Sequence, residues 1–403
     1  MPTERTALEK MIAPISYIYR YIRRVLAKLL FRIIGDISPK KGKMIVFDSM
    51  SGKQYSCNPR AIYEYMVTNY PASDLRFVWA FREPDKFAPL LRDSRTICCR
   101  YNSFRYFYYC CISDAIIFNF GWPFADRRHQ IRLQTWHGGG CYKKIGLAMN
   151  YNTKVRNWFS RSKMKDITHF VSSSKFFTDE VIRKQYDFHG PVLNIGMPRN
   201  DVLVNASEDR EHFSFIRHSL GLPEDIFVIL YAPTYNQLNL DNIEIIDYVR
   251  IKNAAKRRFG KETVFLYRGH HYAENTGGVA FDMDVSDYPD MRDLLQITDL
   301  LLTNYSSSIW DFSFTGRPCL LFTPDLKEYE TFRGFDKDIH EWGFPVCETN
   351  DQLETGILGF DPIRYQKAMQ RHHEDLGSFE SGVATEKCCA FLAEKLGLQR
   401  IAE

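Results

Sequence analysis

The chain has 403 residues, 45% of them hydrophobic and 25% charged, with a formal net charge of +4. At about 100 to 200 residues per domain this length calls for two or three folding units, and the apolar fraction excludes a chain that is mainly disordered. So small a net charge gives no ground for nucleic-acid binding, and no apolar stretch reaches the roughly 18 residues that a membrane-spanning helix needs.

The first element is "MIAPISYIYRYIRRVLAKLLFRIIG", residues 11–35. At helical spacing Ile18, Ile22, Val25, Leu26, Leu29 and Ile33 share one face, while Arg20, Arg23, Arg24, Lys28 and Arg32 gather on another, with Gly35 as a natural stop. Such a helix suits an anchor lying in the interface of an anionic membrane, its apolar side among the acyl chains. A helix docked on the protein's own core with a solvated basic face is the alternative.

Beyond Gly35, short β-rich runs alternate with helical stretches, the pattern of α/β domains with parallel sheets. "MIVFDS", "FVWAF", "DAIIFNF", "RLQTWHGG", "HFVSSS" and "VLNIGMP" form a first set; "FVILYAPTY", "VFLYRGHH", "GVAFDMD", "DLLLTNYSSS" and "PCLLFTPD" form a second. Between them, "HSLGLPEDI" carries a Gly-Pro break near residue 222. The expected organisation is therefore an amphipathic helix over 1–35, an N-terminal domain over 36–222 and a C-terminal domain over 223–403.

In open parallel sheets ligands bind beyond the carboxyl ends of the strands. There this sequence places His137 with its glycines, Ser172 to Ser174, "GMPRND", "APTYN" with Thr234, "RGHH" and "NYSSS". Two such domains facing a cleft would enclose a ligand between them. In "LQTWHGGGCYKKIG" (133–146) the glycines remove bulk around one imidazole and permit positive φ, which suits a histidine meant to reach a substrate. Lys143 and Lys144 are either phosphate partners or solvated charges. The hydroxyls of Ser306 and Ser307, at the start of a helical stretch, suit phosphate or an ordinary helix cap. Arg268 can fork two hydrogen bonds onto phosphate, with His270 or His271 adding a donor.

Ten cysteines, at 57, 98, 99, 110, 111, 141, 319, 347, 388 and 389, show neither CxxC nor zinc-like spacing. They read as reduced thiols of a cytoplasmic protein, most of them small buried hydrophobes; Cys141, inside the glycine loop, is the exception to watch. No carboxylate cluster suggests a metal. The Walker A pattern and the dinucleotide glycine fingerprint are absent, which disfavours P-loop hydrolysis and NAD chemistry. Phosphate chemistry or a nucleotide-diphosphate donor remains.

Seven segments in order, "GKQYSCNPRAIYEYM", "QTWHGGGCYKKIG", "GMPRND", "ILYAPTY", "YRGHH", "DVSDYPDMRDLL" and "LLTNYSSSIWDFSFTGRPCLLFTPDLKEYETFRGF", resemble the CDP-glycerol glycerophosphotransferase family of teichoic-acid primases and polymerases. The resemblance spans roughly residues 44–385. It implies a GT-B-like fold of two Rossmann-like domains, an acceptor-side N-terminal domain and a CDP-alditol-binding C-terminal domain. It further implies a peripheral enzyme at the cytoplasmic face of the bacterial membrane, with CDP-glycerol as donor substrate, a lipid-linked saccharide as acceptor, and no tightly bound cofactor. By matching position, His137 resembles the general base for the acceptor hydroxyl, and His270 a catalytic ligand of the donor diphosphate. Arg268, Ser306, Ser307 and Thr234 fall on the donor side and Gly138, Gly139, Lys143 and Lys144 on the acceptor side. Asp311, Glu328, Arg333 and Asp336 are donor contacts or members of ion pairs within the C-terminal domain. A ribitol-phosphate transferase, a sugar-transferring GT-B enzyme and a non-catalytic CDP-alcohol binder are the rivals. The chain departs from the family pattern at Gly139, Gly140 and Cys141, and at Asn304, where the family has an aspartate.

Overall fold

The computed structural model describes residues 7–38, 42–121, 129–140, 142–149, 153–205, 210–234, 244–269 and 280–401. The expectations for Cys141, His270 and His271 lie outside the described residues.

Two parallel sheets organise the chain. The first contains β1 (Lys43–Asp48), β2 (Leu75–Phe81), β3 (Thr96–Arg100), β4 (Ala115–Phe118), β5 (Ile131–Gln134), β6 (His169–Ser172) and β7 (Val192–Asn194), in the order β3-β2-β1-β4-β5-β6-β7. Ile45 pairs with Phe77 on one side and Ala115 on the other. Because helices cover both faces, the central strands read as unbroken apolar runs, and Ile45, Val46, Phe47, Phe77, Val78 and Trp79 are fully buried. An aromatic stack of Phe47, Trp79 and Phe81, with successive centroids 5.3 Å apart, runs across β1 and β2.

The second sheet contains β8 (Phe227–Tyr231), β9 (Thr263–Tyr267), β10 (Met283–Asp284), β11 (Leu300–Thr303), β12 (Cys319–Phe322) and β13 (Val346–Cys347), in the order β10-β9-β8-β11-β12-β13. In each sheet the strand order reverses once, between β1 and β4 and between β8 and β11. These switch points are where doubly wound sheets open a crevice at the strand carboxyl ends.

The residues group into two compact units. Among the described residues, one comprises Gly138–Lys144 and Val202–Ser378; the other comprises Arg5–His137, Ile145–Asp201 and Phe379–Glu403. This partition differs from a single division at residue 222. The helix Ala384–Leu396 returns to the first sheet's unit, where Asp201 accepts the backbone N–H groups of Ala384 and Thr385 at its start. Residues 138–144 leave that unit because their backbone packs on the second.

The N-terminal helix runs Ala7–Ile37, past Gly35. Gly35 is not a stop: a Cβ there would lie 2.6 Å from the Cys111 carbonyl oxygen, so glycine permits close packing on the helix Phe104–Ile112. The helix is further seated by Tyr21 on Trp158 (4.5 Å) and Phe31 stacked on Phe107 (5.3 Å). Its basic residues do not form one free face. Arg24 and Lys28 point inward and pair with the buried Asp166, and burial lowers the Arg24 pKa to about 10. Arg20 and Arg23 are exposed, and Arg32 is half-buried. The apolar row is the side that faces out: Ile15, Ile18, Ile22, Val25, Leu26, Leu29, Leu30 and Ile33 are all exposed.

Candidate functional site

In the first unit the strand ends converge on His137. The chain leaves β5 through Thr135 and Trp136, and Trp136 takes a left-handed conformation (φ +57°). For a bulky L-residue that costs roughly 1–2 kcal/mol, offset by packing of its buried ring against Tyr186, Phe170 and Phe177. The reversal delivers His137 beside Phe120, with ring centroids 5.5 Å apart. His137 Nδ1 lies 2.9 Å from the carbonyl oxygen of Asn119, just beyond β4. A carbonyl only accepts, so Nδ1 carries the hydrogen and, in the neutral ring, Nε2 is the basic nitrogen.

Asn119 is itself fixed: its Oδ1 accepts the Met50 N–H (2.8 Å) and its Nδ2 donates to Ser49 Oγ (3.3 Å), joining the ends of β4 and β1 across the switch point. Met50, Ser51 and Gly52 all have positive φ, and the turn they form is closed by Asp48, whose Oδ1 accepts the Gly52 N–H at 2.8 Å. Burial pushes the Asp48 carboxyl up to about 7, against the lowering effects of that hydrogen bond and of Arg82. Asp48, Asn119, Asn58 and Arg199 were given no individual role by sequence reasoning. All four fall inside or beside quoted segments, Asn119 within "DAIIFNF", and each is a polar residue at or just past a strand end or at a helix start, which is the available signal. Ser172 to Ser174, by contrast, are occupied locally: Ser172 Oγ donates to the Ser174 carbonyl, and Ser174 Oγ accepts the Phe177 N–H.

The second unit gathers the loop 138–144 onto the serine motif. None of Gly138, Gly139 or Gly140 has positive φ; what they supply is space. A Cβ on Gly138 would meet Ser307 Oγ at 2.3 Å, one on Gly139 would meet Trp310 Cδ1 at 2.0 Å, and one on Gly140 would meet the Tyr142 ring at 2.4 Å. Side chains cannot occupy such gaps, so the three glycines are explained by backbone lying on the helix Ser308–Ser313 and on Tyr142. Tyr142 stacks on Trp342 (4.4 Å), and its hydroxyl lies 2.8 Å from His372 Nε2. Burial lowers the His372 pKa to about 3, so the ring is neutral and accepts the phenol proton's hydrogen bond at ordinary pH.

Lys143 forms a bridge with Phe335, the Lys144 N–H donates to the Gly334 carbonyl, and Arg333 Nε donates to the Lys144 carbonyl (3.1 Å). The structure thus brings Gly138, Gly139, Ser307, Lys143, Lys144 and Arg333 together. Ser306 Oγ accepts from the N–H and hydroxyl of Ser308. Asp311 is buried on the same helix, whereas Glu328 is exposed on the helix Leu326–Phe332.

Thr234 and Asn304 meet at the second switch point. Asn304 Oδ1 accepts from Thr234 N–H (2.8 Å), Thr234 Oγ1 (2.7 Å) and Tyr305 N–H (2.7 Å). All three bonds need only an oxygen, so the amide serves here as a carboxylate would. Arg268 follows β9, and its backbone N–H donates to the Tyr231 carbonyl at the end of β8 (2.9 Å). It is buried, and its Nη1 donates to the carbonyls of Val285 (3.1 Å) and Tyr288 (2.9 Å). Its guanidinium therefore braces the loop before the helix Met291–Ile297. Among the described residues no cluster of His, Cys, Asp or Glu has metal-binding geometry.

Residues 30–394 match the model of the CDP-Glycerol:Poly(glycerophosphate) glycerophosphotransferase family. The chain is 28% identical over 384 residues to the teichoic acid poly(glycerol phosphate) polymerase of Bacillus spizizenii W23, an alignment covering 92% of this chain and 96% of the relative. It is 28% identical over 402 residues to the polymerase of Bacillus subtilis 168, where it covers 94% of this chain and 52% of the longer relative. The solved structure of the wall teichoic acid polymerase TagF superposes with a TM-score of 0.76 at 27% identity, covering 96% of this chain and 98% of that one; a TagF variant soaked with CDPG gives 0.77 at 27%, covering 95% and 98%. Two parallel-sheet α/β units of GT-B-like type, a seven-segment motif order and a match over most of the length agree, and the chain belongs to the CDP-glycerol:poly(glycerophosphate) glycerophosphotransferase family.

Proposed function

We propose that this chain transfers glycerol phosphate from CDP-glycerol to a hydroxyl of a lipid-linked saccharide or polymer and releases CMP. The observation that carries the reading is the hydrogen bond from His137 Nδ1 to the Asn119 carbonyl, which leaves the basic lone pair on Nε2. An alcohol is a poor nucleophile until its proton is being removed, and a positioned imidazole accelerates that step about 10²- to 10⁴-fold. The acceptor oxygen attacks the phosphorus that bears glycerol, the bond from that phosphorus to the bridging oxygen of CMP breaks, and the acceptor proton passes to Nε2. Charge accumulating on departing CMP is met on the donor side by the Ser306 and Ser307 region, with Thr234 and Asn304 ordering the adjoining strand ends.

The outward apolar row of the N-terminal helix supports a peripheral seat on an anionic membrane. A fully buried Leu or Ile gains roughly 1.5–3 kcal/mol, whereas a cation near an anionic surface gains about 1 kcal/mol. Eight exposed apolar side chains therefore dominate, and Arg20, Arg23 and Arg32 set the preference for anionic lipid.

Incubation of the protein and a lipid-linked acceptor separately with CDP-glycerol, CDP-ribitol and UDP-sugars, with nucleotide release and product mass followed, tests the donor. CMP from CDP-glycerol with a mass gain of glycerol phosphate is expected. Preferential release from CDP-ribitol or a UDP-sugar would replace the donor assignment, and binding without release would make the chain a non-catalytic CDP-alcohol binder.

A further inference from the structure

Asn58, the second residue of the helix Cys57–Asn69, is completely buried in the first unit. Its Nδ2 donates to the carbonyls of Thr135 (2.8 Å) and Trp136 (3.0 Å), and its Oδ1 accepts the N–H of Arg199 (2.9 Å). Arg199 in turn donates from Nη1 to the carbonyl of His137 (2.9 Å). Three successive carbonyls, those of residues 135, 136 and 137, are thus held by two side chains from elsewhere in the chain. The middle residue is the one in the left-handed conformation.

The geometry points to Asn58 and Arg199 as positioning residues for His137, a clamp that holds the Trp136 reversal and so sets the direction of the imidazole. This inference rests on the reading of His137 as general base. An amide is required at 58 because the site demands a donor toward two carbonyls and an acceptor toward an N–H at once. A carboxylate of the same shape would set oxygen against two carbonyl oxygens in a dry interior, which is unfavourable. The partner loop is also secured from behind: Glu380 accepts the Met197 N–H on Oε2 (2.9 Å) and the Asn200 amide on Oε1 (3.0 Å). Gly196, at φ +90°, leaves room for that carboxylate, since a Cβ there would lie 2.7 Å from Glu380 Oε2. The chain of contacts runs from Glu380 through the 197–200 turn to Arg199, and from Arg199 to the backbone of His137.

The test uses the full chain with CDP-glycerol and a lipid-linked acceptor, and compares Asn58→Asp, Arg199→Gln and His137→Ala with the parent. A displacement of about 1 Å costs on the order of 10²-fold in rate, so kcat for Asn58→Asp is expected to fall by about that factor. KM for CDP-glycerol should stay within about twofold, as for an interaction felt mainly in the transition state. Nitrogen-15 NMR of the labelled His137 ring is the second readout: the parent shows the Nδ1–H tautomer, and both clamp variants show a mixture. Should Asn58→Asp fail to fold by circular dichroism, Arg199→Gln, which leaves the amide clamp in place, decides by the same two measurements. Unchanged kcat and an unchanged ring tautomer in a folded variant overturn the inference. If His137→Ala keeps its turnover while the clamp variants still mix the tautomers, the base reading fails and the clamp stands.

Discussion

A methyl group on Gly139 would sit 2.0 Å from Cδ1 of Trp310, a buried indole that cannot move aside because Phe314 and His373 lie against it. Gly139→Ala is therefore expected to cost about 1–3 kcal/mol, the usual range for an overpacked site, and to lower the Tm by several degrees at roughly 2–4 °C per kcal/mol. Differential scanning calorimetry reads this directly, and an unchanged Tm would show that the loop does not lie on the serine helix. Here the sequence was legible in part. Three consecutive glycines marked a special backbone, but sequence alone does not separate positive φ from close approach, and the answer proved to be close approach. Asn304 was legible as a departure from the family aspartate. That its amide oxygen takes three hydrogen bonds, from Thr234 and Tyr305, depends on a register between strand ends that no spacing in the chain reports.

The N-terminal helix shows the same limit at the level of an element. Its two faces were readable from helical spacing, because apolar and basic residues segregate at 3.6-residue intervals. Which face turns inward was not, since Asp166, the buried partner of Arg24 and Lys28, lies far along the chain. Leu26→Glu with Leu29→Glu alters only exposed positions, so the fold is expected to persist. Binding to phosphatidylglycerol vesicles should weaken at least 100-fold, because two leucines carry roughly 3 kcal/mol or more. Undiminished cosedimentation would show that another surface holds the membrane. Among strands, the apolar runs of β1, β2, β8 and β11 announced themselves. The run "TICCR" of β3 and the two-residue β13 did not, the first because it is an edge strand only partly buried and the second because it is too short to carry a pattern.

Across the molecule, two sheets with one reversal each place polar groups at their switch points: Asp48, Ser49 and Asn119 in the first, Thr234, Asn304 and Ser306 in the second. This much followed from alternating elements and from polar strand ends. The partition of the chain between units did not, because the return of Ala384–Leu396 to the first unit depends on Asp201 and Glu380 finding partners nearly two hundred residues apart. Asp201 accepts two N–H groups in that contact even though burial raises its pKa. The proposed transfer depends above all on His137 as the base that activates the acceptor. CMP release from CDP-glycerol in the presence of a lipid-linked acceptor, measured for the parent and for His137→Ala at equal folded concentration, tests it most directly. Loss of turnover by about 10²- to 10⁴-fold with donor binding retained is the expected result, and turnover near that of the parent would contradict it.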